Sequence, residues 1–113
     1  MNWLDLESNE DWNAALERSK EIPVLVFKHS TRCSVSFMAK KNLESRWNFS
    51  DTQVLPYFLD LIAQRQLSDL ISSKTGVRHE SPQLILIQNE AVIFYASHYG
   101  IDVEDIAKYI KNE

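Results

Sequence analysis

The stretch that decides the fold is Pro23-Val24-Leu25-Val26-Phe27-Lys28-His29-Ser30-Thr31-Arg32-Cys33-Ser34-Val35-Ser36. Val24 to Phe27 is a continuous apolar run rich in β-branched residues, the pattern of a strand buried on both faces of a largely parallel sheet. Proline before it cannot continue a helix, so Pro23 marks where the strand begins. The polar segment His29 to Ser34 then breaks the apolar pattern. Val35, Met38, Ala39 and Leu43 recur at helical spacing, which predicts a helix from about Ser34 to Trp47. The chain's single cysteine stands where the strand hands over to this helix.

Reading outward gives the remaining elements. Ser8 is an N-cap residue, with Asp11 at the third helical position, for an amphipathic helix over Asn9 to about Lys20. Trp3 to Leu6 reads as a short strand or a lead-in to that helix. Val54 to Leu59 reads as a strand, with Pro56 placing it at an edge or making it irregular there. Ile62 to Ser73 reads as a third helix closed by Gly76. Gln83–Gln88 and Ala91–Ala96 are two strands of a hairpin across Asn89-Glu90. Val103 to Lys111 is a last helix, with Ile106, Ala107 and Ile110 on one face. Strands that alternate with helices and close in a hairpin indicate an α/β domain with a mixed sheet of 4–5 strands and about four helices.

Composition narrows the function. The 113 residues contain 44% hydrophobic and 25% charged side chains and form one domain, residues 1–113, with enough chain to bury a core. Twelve Lys+Arg against 16 Asp+Glu give a net charge of −4, without the clustered basic face a nucleic-acid binder needs. No apolar run approaches the roughly 20 residues of a membrane-spanning helix. The first twenty residues are acidic and carry no targeting pattern, so the expected location is the cytoplasm. A single cysteine excludes an internal disulfide, a Cys-rich zinc module and a two-cysteine redox centre. The spacing of the three histidines does not resemble a metal site.

The order of elements, the cysteine at a helix start and the segment Thr75 to Ile87, with Ser81-Pro82 before a strand, resemble the thioredoxin fold. Within that superfamily the sequence resembles the monothiol bacilliredoxins of the YtxJ type. Val26-Phe27-Lys28-His29-Ser30-Thr31 leads to the CxxS motif Cys33-Ser34-Val35-Ser36. The family motif reads Thr-Cys-Pro-Ile-Ser; here Arg32 intervenes, Ser34 replaces the proline and Val35 the isoleucine. The resemblance implies a cis Ser81-Pro82 bond beside Cys33, where an extended client segment pairs in β fashion with Ser81 and Pro82. It also implies bacillithiol as thiol co-substrate, with no tightly bound cofactor.

A lone cytosolic cysteine is by default an inert core residue. At a helix N-terminus, unpaired N–H groups and the helix dipole instead favour a reactive thiolate. A CxxS site exchanges only with outside sulfur. The resemblance implies S-thiolated client proteins, a low-molecular-weight thiol and an external reductase as partners. Catalysis is assigned to Cys33 and Ser36. Ser36 either donates to the sulfur or, as a serine of the helix's N-terminal turn, serves the backbone. Arg32, Ser34, Thr31, His29 and Lys28 are candidates for tuning the thiolate, with His29 placed on the loop. His79 lies near the proline loop; His98, Asp60 and Asp5 read as surface residues. Two other readings stay open: a glutathione-using monothiol glutaredoxin, and a redox-inactive adaptor that binds clients through the Pro82 loop.

Overall fold

The apolar run extends into β2 (Val24–His29), whose six residues are all buried. A computed structural model describes residues 1–110. Around β2 lie β1 (Leu4–Asp5), α1 (Asn9–Arg18), α2 (Ser34–Arg46), β3 (Leu55–Asp60), α3 (Arg65–Thr75), β4 (Gln83–Gln88), β5 (Ala91–Ser97), a 3-10 turn (His98–Gly100) and α4 (Val103–Ala107). The sheet order is β1-β3-β2-β4-β5. β1, β3 and β2 run parallel, while β4 is antiparallel to both β2 and β5.

Alternation along β2 feeds two cores. Val24 and Val26 pack with Trp12, Ala15, Leu67 and Ile71 of α1 and α3. Leu25 and Phe27 pack on the other face with Ala39 and Leu43 of α2 and Ile106 of α4. Because successive side chains of a strand point to opposite faces, Lys28 falls on the α1/α3 side and His29 on the α2 side.

Several local expectations hold. The Ser8 hydroxyl accepts from the Asp11 N–H at 3.0 Å and caps α1. Gly76 ends α3 in the left-handed region at φ 73°. Asn89 and Glu90 both have positive φ, 53° and 63°, the backbone of a type I′ hairpin turn. Ser81-Pro82 is cis.

Others change. β3 is not an edge strand, since β1 covers it, but β1 first pairs at Tyr57. The Leu55 N–H points to the carbonyl of Pro23, just before β2, so the donor Pro56 lacks faces the side where β1 has not begun. α3 starts at Arg65 rather than Ile62 because the Asp60 carboxylate accepts the Ile62 and Ala63 N–H groups, at 3.0 and 3.3 Å, and holds them in a turn. α1 stops at Arg18, before Lys20. α4 ends at Ala107, after which Tyr109 and Ile110 bond three residues back. Ala107 is exposed while Ile106 and Ile110 are buried, and Lys111 lies outside the described residues.

Candidate active site

The end of β2 delivers the chain to a tight turn organised by Ser30. Its carbonyl accepts the Cys33 N–H at 3.2 Å, and its hydroxyl accepts the Arg32 N–H at 3.3 Å. Cys33 is the N-cap residue of α2, with extended backbone, and its carbonyl accepts the Phe37 N–H at 3.1 Å to start the helix. The free thiol is half-buried. Its sulfur makes no capping bond to the helix, and no hydrogen bond to it occurs among the described residues. The position at the helix start is thus as expected, whereas the anticipated contact of sulfur with the helix N–H groups is not made.

Ser36 makes no hydrogen bond to the sulfur either. It is fully buried, its hydroxyl oxygen accepts the Ser30 N–H at 3.0 Å, and it lies 2.7 Å from His29 Nδ1. Of the two roles read for it, the structure realises the backbone-serving one, extended to a histidine.

His29 is the last residue of β2 rather than a loop residue, and only 5% of it is exposed. Its ring stacks on Phe27 and tilts against Phe58, with centroids 5.9 and 5.5 Å away. Burial pushes its pKa below 6.5, helped by the Lys40 ammonium and opposed by Asp60, Ser36 and Glu44.

Lys28 is placed away from the thiol. It is 0% exposed on the α1/α3 face, and its ammonium donates to the Ser68 carbonyl at 3.1 Å. Burial lowers its pKa to about 8, against the pull of Asp69. The candidate role of Lys28 in tuning the thiolate therefore lacks a geometric basis: α2 and Cys33 belong to the opposite face. Thr31, Arg32 and Ser34 are exposed around the cysteine.

Antiparallel pairing of β2 with β4 ends at Lys28 and Gln83, so Pro82 and Ser81, which precede Gln83, lie at the same end of the sheet as the Ser30 turn. Pro82 is buried and its carbonyl accepts the His98 N–H at 3.0 Å. Ser81 is half-buried, and its hydroxyl has no partner among the described residues. His79 turns instead to the Lys28 side, 3.3 Å from the Ser68 hydroxyl. Burial, then Lys28 and Arg65, lower its pKa. His98 is exposed, 3.3 Å from the Glu80 carboxylate. Asp60, read as a solvated carboxylate, is the turn acceptor at the end of β3.

Two features were not legible in the sequence. A cleft of about 240 Å³ beside Cys33 is lined by Ser34, Val35, Met38, Asn42, His98 and Tyr99. Met38 and Tyr99 of its lining stand exposed, Tyr99 to 89%. Apolar type alone reads as core packing, so the signal lay in Tyr99 adjoining Gly100 at a turn. The second is Trp3, whose indole N–H donates to Glu44 at 2.8 Å and ties the N-terminal segment to α2.

Among the described residues no group of three or more His, Cys, Asp or Glu side chains is placed to hold a metal. Nor is any described helix long and apolar enough to cross a membrane.

Comparison with known proteins agrees with this arrangement. Residues 4–106 match the family model of the monothiol bacilliredoxin BrxC. The chain is 33% identical to a solved structure described as a proposed oxidoreductase with a thioredoxin fold, with a TM-score of 0.76 and coverage of 93% of this chain and 90% of that one. Thioredoxin of Malassezia sympodialis matches at 18% identity and a TM-score of 0.71, covering 96% of this chain and 87% of that one. Thioredoxin of Trypanosoma brucei brucei matches at 17% identity and the same TM-score, covering 95% and 92%. These two establish the fold alone. A free cysteine at a strand-to-helix junction, on this fold and across this match, means that the chain belongs to the monothiol bacilliredoxin BrxC family of the thioredoxin-like superfamily and has a thiol redox function.

Proposed function

We propose that the protein removes bacillithiol, or a similar low-molecular-weight thiol, from mixed disulfides on client proteins. The observation that carries this reading is that the only thiol is half-buried at the N-cap of α2 with no hydrogen bond to its sulfur among the described residues. With no second cysteine in the sequence, Cys33 exchanges with sulfur from outside.

The Cys33 thiolate attacks the bacillithiol sulfur of the client's mixed disulfide. A Cys33–bacillithiol bond forms as the client–bacillithiol bond breaks, and the client sulfur leaves as a thiolate that takes a proton from solvent. The client cysteine is thereby reduced and Cys33 oxidised. A second low-molecular-weight thiol or an external reductase returns Cys33 to the thiol. The client segment lies along Ser81 and Pro82, and the setting is the reducing cytoplasm.

Intact-mass analysis with a bacillithiol-capped client tests this. Wild type should gain the bacillithiol mass as the client loses it, and Cys33→Ala should gain nothing. Transfer from a glutathione-capped client alone would replace bacillithiol as substrate. No transfer from either client would refute exchange and leave an adaptor role.

A further inference from the structure

We propose that His29 is a positioning residue that latches the cysteine turn through Ser36, and that protonation of its ring releases the latch. The proposal rests on Cys33 being the exchanging thiol.

A serine hydroxyl has one proton and two lone pairs to place. Ser36 is fully buried, and one lone pair is taken by the Ser30 N–H at 3.0 Å. Its proton then has His29 Nδ1 as acceptor at 2.7 Å. This network assigns the ring proton to Nε2. The reverse assignment, with Nδ1–H donating, strands the Ser36 proton in a buried site without an acceptor, which is the costly arrangement.

Ser30 is the hub of the turn. Its N–H goes to Ser36, its carbonyl holds the Cys33 N–H, and its hydroxyl holds the Arg32 N–H. The imidazole is therefore joined to the Cys33 backbone by three hydrogen bonds in series: His29 to Ser36, Ser36 to Ser30, and Ser30 to Cys33. The ring is itself fixed between Phe27 and Phe58.

The charged groups that face it are Lys40 and Glu44 of α2 and Asp60 of β3. Lys40 and Glu44 are bonded to each other at 3.0 Å. Burial keeps the ring neutral at neutral pH. When it protonates in acid, Nδ1 becomes a donor, Ser36 must accept from both sides, and its own proton is left over. That stranded proton, buried without an acceptor, is the cost that loosens the latch.

The test follows alkylation of Cys33 by iodoacetamide from acid to neutral pH, in wild type, His29→Phe, Ser36→Ala and Ser36→Thr. Wild type should show an inflection below pH 6.5, beyond the titration of the thiol itself. His29→Phe keeps the ring packing but has no Nδ1, and Ser36→Ala has no hydroxyl. Both should lose the inflection and react roughly tenfold more slowly at neutral pH, equivalent to about 1.4 kcal/mol. Ser36→Thr should restore the wild-type profile.

Folded His29→Phe or Ser36→Ala proteins that trace the wild-type profile overturn the proposal. If neither folds, NMR of wild type decides: the Ser30 and Cys33 amides must titrate together with the His29 ring, and amides that ignore it also overturn the proposal. Neither readout uses bacillithiol, so failure of bacillithiol transfer removes the function proposed above without touching this result.

Discussion

Lys28 offers the most quantitative prediction. A lysine in water titrates near 10.5, whereas burial lowers Lys28 in the folded protein to about 8. This gap of about 2.5 corresponds to roughly 3 kcal/mol, at about 1.36 kcal/mol for each tenfold change in proton affinity. The sign is fixed by which state binds the proton more tightly. Above pH 10.5 the lysine is neutral in both states. As pH falls towards 8, the unfolded chain takes up the proton first and is stabilised, so the folded state loses ground. Below that window the cost is fully present.

Lys28→Met keeps most of the side-chain volume and removes the charge. It also loses the bond to the Ser68 carbonyl, a contribution of about 1 kcal/mol. The net expectation at pH 7 is a gain of about 1–2 kcal/mol, or roughly 4–8 °C in Tm. Urea unfolding in reductant at several pH values measures it. The advantage of the variant should shrink as pH rises from 8 to 10.5, and subtraction of the two curves cancels the titrating groups that Lys28 does not touch; His79, whose pKa Lys28 lowers, titrates below this window. A variant less stable than wild type at pH 7, or a difference that stays flat across the window, refutes the reasoning.

Two further predictions concern the hairpin. Glu90→Gly places the residue that tolerates positive φ where Glu90 sits at 63°, and should raise Tm by the equivalent of up to about 1 kcal/mol. Ser19→Ala removes a buried hydroxyl that donates to the Leu16 carbonyl at 2.6 Å and accepts the Glu90 N–H at 2.9 Å. It should cost about 1–3 kcal/mol in chemical denaturation, with earlier amide exchange at Glu90 than in β4 and β5.

Periodicity carried most of what was legible in the sequence. The apolar run of β2, the helical spacing after Cys33 and the stop signals at Pro23 and Gly76 each act within a few residues, so they survive without knowledge of the fold. The misreadings have a common cause in groups that act across the chain. Ile62 looks helical by spacing, yet a carboxylate two residues earlier captures its N–H. Pro56 indicates an edge only if the neighbouring strand runs its full length, and β1 is two residues long.

The site shows the same limit. A strand buried throughout has no polar face, so nothing in Val24–His29 tells which side α2 covers. Lys28 and His29 both read as candidates near the thiol until alternation is tied to the packing. The serine of the CxxS motif likewise offered two roles, and only the position of His29 Nδ1 distinguishes them.

The split of Lys28 and His29 to opposite faces of β2 has a consequence for transplanting the reactive loop. Ser30 to Cys33 is short enough to move into another protein of this fold by exchanging a few codons. Its moorings are not in that segment. One lies under α2, where Ser36 meets His29, and a polar counterpart lies under α3, where Lys28 meets Ser68. A chimera that carries Thr31-Arg32-Cys33-Ser34 alone inherits the host's strand end and the host's helix. The transferable unit runs from Lys28 to Ser36, together with the aromatic seat for His29 that Phe58 completes from another strand.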